Sequence, residues 1–110
     1  MTILEEFVER VTERGSRASK RVKEHCERMV RTDTPLNGAV SWDLLKSCAA
    51  VEECNGLLSN TQSLPLALDY LYRRLLALST PTNSMTAALA NEARRDIAVE
   101  MIGLLEEMEA

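Results

Sequence analysis

The side chains best suited to chemistry in this 110-residue chain are one histidine, three cysteines and a run of arginines near the start. A histidine works in catalysis when a second group orients it. Three residues before His25 stands Val22, so the Glu-x-x-His pair of carboxylate di-metal bundles is missing. Cys26 follows it, where the phosphoacceptor helix of histidine kinases carries Glu. Three residues separate Arg21 from His25 and seven separate Arg17 from it, and neither is the Arg–His spacing of helical ribonucleases. His25 therefore reads as a structural residue at the edge of an apolar stripe. Cys26, Cys48 and Cys54 are odd in number and form no CxxC motif. They read as reduced, small, mostly buried residues of a cytoplasmic protein. The glycines at 15, 38, 56 and 103 are isolated, which leaves no glycine-rich phosphate loop. No metal, no cofactor and no enzymatic activity are expected.

The arginines are more regular. At about 100° per residue, Arg10, Arg14, Arg17, Arg21 and Arg28 fall within about 60° of one another, along roughly 27 Å of helix. A row of guanidinium groups suits phosphates, because each presents a planar fork of donors that stays charged. Lys20 and Lys23 thicken the stripe, and no acid occurs between Arg14 and Lys23. Glutamates on the same helix weaken the signal. Arg10 has Glu6 and Glu13 within one turn, Arg17 has Glu13, and Arg21 and Arg28 share Glu24. Only Arg14 lacks an intrahelical partner. The balance favours a solvated, ion-paired face, with an acidic protein or a nucleic-acid backbone as the alternatives.

Those residues need helices to hold them. The chain is 45% apolar but only 4% aromatic. Its leucine, alanine, valine and methionine content favours helix over strand. Leu4, Val8, Val11, Ala18, Val22 and Met29 recur at helical spacing and predict one long helix over 3–31, with Gly15 marking a close helix approach or a kink. TDTPLNG at 32–38 reads as a loop. Ser41 is the expected N-cap of a helix over 41–58, with Asn55-Gly56 as a candidate stop one turn early and Leu44, Leu45, Cys48, Val51 and Leu58 inward. A third helix is predicted over 64–78 with Pro65 in its first turn, and Tyr72 and Leu76 widen its apolar stripe. A fourth covers 85–108 with Leu89, Ala93, Ile97, Met101, Leu104 and Met108 inward. The fold class is all-α: an antiparallel four-helix bundle with a long first helix, one domain over 1–110.

Residues 97–105, IAVEMIGLL, place Val99 and Ile102 almost opposite that core stripe. Either this helix is covered on both sides, or Val99, Ile102 and Leu105 form an apolar interface; the second is the expectation here. Charge is uneven: residues 1–31 carry eight Lys/Arg and six Glu, whereas the whole chain has a net charge of −4. The first ten residues, MTILEEFVER, are acidic and carry no signal-peptide pattern, and no stretch approaches the roughly 20 apolar residues of a membrane span. The expected function is a non-enzymatic interaction module, an adaptor, inhibitor or subunit docking on a larger complex or on its own copy. The alternative is a subunit of a nucleoprotein assembly that holds the backbone through Arg10, Arg14, Arg17, Lys20, Arg21 and Arg28.

Overall fold

Short polar side chains start three of the four helices. Thr2 accepts a hydrogen bond from the Glu5 backbone N–H at 3.1 Å. Ser63 accepts from Leu66 N–H at 3.3 Å, with Pro65 in the first turn, and Ser84 accepts from Ala87 N–H at 3.2 Å. The computed structural model describes residues 2–32 and 38–109. It contains α1 (Ile3–Thr32), α2 (Gly38–Ser59), α3 (Leu64–Leu78) and α4 (Met85–Glu109). Residues 33–37 of the expected first loop lie outside the described residues. α2 begins three residues before Ser41, so Ser41 is not its cap, and it runs straight through Asn55-Gly56.

Cross-contacts give the directions. Arg21 and His25 reach Asp43 near the start of α2, while Gly15 lies against Cys54 further along it, so α1 and α2 are antiparallel. Glu53 meets Arg74 while Gly56 meets Tyr70, so α2 and α3 are antiparallel too. A short loop turns α3 back along α4, where Arg95 donates to the Leu78 carbonyl at 3.0 Å. α2 and α4 then run the same way and pack closely as the inner pair. Leu45 and Ala49 meet Ala90 and Ala93, and Arg94 reaches Glu52 at 2.6 Å. α1 lies mainly on α2, α3 lies mainly on α4, and α1 and α3 hardly touch. The molecule is accordingly flattened, 47 × 34 × 21 Å.

Small residues make this arrangement tight. Ala18, Ala49, Ala50, Ala67, Ala93 and Ala98 are buried between helices, and Phe7, Val11, Leu57, Leu71, Ile97 and Met101 fill the remaining core. Each of those large side chains contributes about 1.5–3 kcal/mol through burial. Gly15 marks a close approach: a Cβ there would stand 3.2 Å from Cys54 Cβ. The expected inward sets shift accordingly. Among the described residues of α2 the buried positions are Ser47, Ala49, Ala50, Glu53, Cys54 and Leu57, whereas Leu44, Leu45, Cys48, Val51 and Leu58 are half-buried. On α3, Tyr72 and Leu76 face out instead of widening the inward stripe, and Tyr70 packs against the core.

The largest correction concerns α4. Ile102 and Leu105 are 9% and 2% exposed and belong to the core, while Val99 is 59% exposed. α4 touches three other helices, so positions opposite its first apolar stripe are covered inside the chain. Of the proposed apolar interface of Val99, Ile102 and Leu105, only Val99 reaches the surface. Among the described residues, no helix is long and apolar enough to cross a membrane.

Candidate docking groove along the first and fourth helices

The core-facing positions of α1 are Phe7, Val11 and Ala18, and the arginine stripe lies a quarter turn away. Because α1 rests on α2 and only grazes α4, that quarter turn opens into a groove. Its floor is built from Ala18, Ser47, Ala50 and Ala93, and its volume is about 530 Å³. Arg14, Arg17, Lys20 and Arg21 form one wall, and Lys46 of α2 joins them. Arg14 and Arg17 also belong to a second hollow that runs on past Val99, Glu100 and Gly103 to Glu107, with Arg10 and Glu13 on the α1 side. The two hollows share Arg14 and Arg17 in their walls.

The ion pairs differ from those the helix spacing suggested. Arg14, with no partner on its own helix, is held by Glu100 of α4 at 3.3 Å. Arg17, expected to pair with Glu13, forms no ion pair among the described residues, and neither do Lys20 and Lys46. Arg10 pairs with Glu6 at 3.7 Å and Lys23 with Glu27 at 3.9 Å, both on the exposed surface. Arg28 is also engaged. Arg21 makes a fork on Asp43, at 2.8 Å from Nε to Oδ2 and 3.0 Å from Nη2 to Oδ1. This fork holds the Asp43 carboxyl below its ordinary range and raises Arg21 above its own.

Asp43 also takes His25 Nε2, and His25 Nδ1 is buried with no hydrogen-bond partner among the described residues. Arg21, His25 and Asp43 thus form a knot that ties the last third of α1 to α2. The other paired arginines lie on α3 and α4. Arg73 meets Asp69, Arg74 makes a fork on the buried Glu53 at 2.9 and 3.1 Å, and Arg94 meets Glu52. None of these extends the α1 stripe. All three cysteines are free: Cys26 exposed, Cys48 half-buried and Cys54 buried, where burial pushes its thiol pKa up. Among the described residues, no group of three or more His, Cys, Asp or Glu side chains is placed to hold a metal ion.

Arg10, Arg14 and Arg17 are therefore brought together with Val99, Lys20 and Arg21 line the neighbouring hollow, and Lys23, Arg28, Ile102 and Leu105 line neither. Sequence reasoning missed Lys46, Ser47, Asp43, Asp96 and Glu100, which reach the groove from α2 and α4. Spacing within one helix carries no signal for partners across helices. No protein-family model, curated protein or solved structure matches the chain, so the groove is read from its own geometry.

Proposed function

We propose that the protein is a non-enzymatic interaction module that docks a protein partner along the α1–α4 groove. The observation that supports this reading is a set of exposed, unpaired cations, Arg17 and Lys20, set between two arginines already tethered by Glu100 and Asp43. Tethered side chains lose little freedom on binding, and unpaired ones have charge to offer. Val99 supplies an apolar contact beside them. Glu24 and Asp96 line the first hollow, and Glu13, Glu100 and Glu107 line the second. A polypeptide of mixed charge can satisfy both signs, whereas a phosphate backbone meets repulsion from these carboxylates.

Affinity capture from the source cells tests this, with wild type, Arg17→Glu/Lys20→Glu and Val99→Asp as baits. A specific partner should be retained by wild type, lost from the charge-reversal variant and weakened by Val99→Asp. A partner retained equally by all three would place docking elsewhere. The second reading, backbone contact with nucleic acid, draws on Arg17 and Lys20 together with Lys46. It requires single-strand binding whose logarithm falls with log salt by about 0.7 per phosphate neutralised. Absence of binding at low salt removes it for the isolated chain.

A further inference from the structure

The outward face of α3 is apolar where a solvated helix would be polar. Leu66 is 51% exposed, Tyr72 52% and Leu76 78%. The only charges among them, Asp69 and Arg73, neutralise each other at 2.9 Å. Leu66, Asp69, Arg73 and Leu76 are spaced three, four and three residues apart. That is the a–d spacing of a coiled-coil seam, and at about 100° per residue it lies opposite the buried line of Ala67, Leu71 and Leu78. Among the described residues, no element covers this seam.

The seam reads the same in reverse. Leu66 and Leu76 are equidistant from position 71, and so are Asp69 and Arg73. In an antiparallel helix pair, a positions face d positions across a two-fold axis. Two copies of α3 placed that way put Leu66 against the other copy's Leu76 and Asp69 against the other copy's Arg73. Both charges find opposite partners, and both leucines lose their exposure. A parallel pairing would instead set Asp69 on Asp69 and Arg73 on Arg73.

We propose that α3 is the seam of a two-fold symmetric, antiparallel dimer of this chain. The occupant is a second copy because charge and apolar positions are complementary to their own reversal, a condition that a different partner has no reason to impose. The outer leucine layers supply the attraction, and the central Asp69–Arg73 layers fix direction and register. One face of a 15-residue helix is a small contact, so the dimer is weak, with a dissociation constant in the micromolar range or above. The seam lies on a different helix from the α1–α4 groove and does not rest on the reading of that groove.

Sedimentation equilibrium at micromolar to millimolar protein tests the proposal, with circular dichroism to confirm that each variant is folded. Wild type should show a monomer–dimer equilibrium, and Leu76→Glu should abolish it. Asp69→Arg and Arg73→Asp each place like charges in both central layers and should weaken dimerisation about tenfold or more. The double reversal Asp69→Arg/Arg73→Asp should restore it. Mixing the two single variants should yield heterodimers, since one then carries two arginines and the other two aspartates. A folding defect cannot produce that rescue. A wild type that stays monomeric at millimolar concentration overturns the proposal, as does a single reversal that dimerises like wild type or a mixture that stays monomeric.

Discussion

Asp43 is the side chain on which most depends locally. It accepts from Arg21 twice and engages His25, so one carboxylate joins two turns of α1 to the start of α2. Its pKa is lowered, first by the Arg21 hydrogen bond. A lowered carboxyl pKa means that the fold favours the charged form. The associated stability is present above the ordinary carboxyl value of 3.8 and is lost as pH falls through the lower folded value. Asp43→Asn should therefore be less stable than wild type at neutral pH, and the gap should close in acid. Urea titrations at neutral pH and below about pH 4 measure it, and a gap of constant size would show that the Asp43 charge does not matter. Residue-level reasoning could not have found this knot. The helix-spacing rule assigned Arg21 to Glu24 and left Arg14 alone, because it sees only neighbours on one helix.

At the scale of elements, α3 was the most legible. Pro65 in its first turn and its apolar stripe delimit it from sequence alone, and the predicted bounds 64–78 are those observed. α2 was the least legible, because it is covered on more than one side and lacks a single apolar face. Asn55-Gly56 looked like a stop. Gly56 instead makes room for Tyr70, whose Oη would stand 2.5 Å from a Cβ at that position. α4 misled for the same reason as α2: an inner helix needs apolar residues all round, and Ile102 and Leu105 are those residues. The α1–α2 contact gives a direct test. An added Cβ at Gly15 is already tight against Cys54, and a branched side chain adds bulk at that contact. Gly15→Val should cost about 2 kcal/mol of stability, seen as a lower urea midpoint with an unchanged slope. No loss would mean that the two helices are free to part there.

For the whole molecule, the three free thiols report on different depths. Cys26 is exposed, and Cys54 lies fully buried between α1 and α2, with its thiol held protonated by desolvation. Under native conditions Cys26 should be alkylated readily. Cys54 should react only at the rate at which the bundle opens, with Cys48 in between. Mass spectrometry of the labelled chain over time reads all three, and prompt labelling of Cys54 would contradict the close α1–α2 contact. The flattened arrangement also separates the two outer helices, α1 and α3, by the α2–α4 pair. Changes at exposed positions on one flank should add to changes at exposed positions on the other with little coupling, since α1 and α3 hardly touch. Joined back to back through α3, two chains would carry their α1 grooves on opposite outer sides. A weak single grip would then become a bivalent one, and a partner with two matching sites would be held by avidity rather than by any single strong contact.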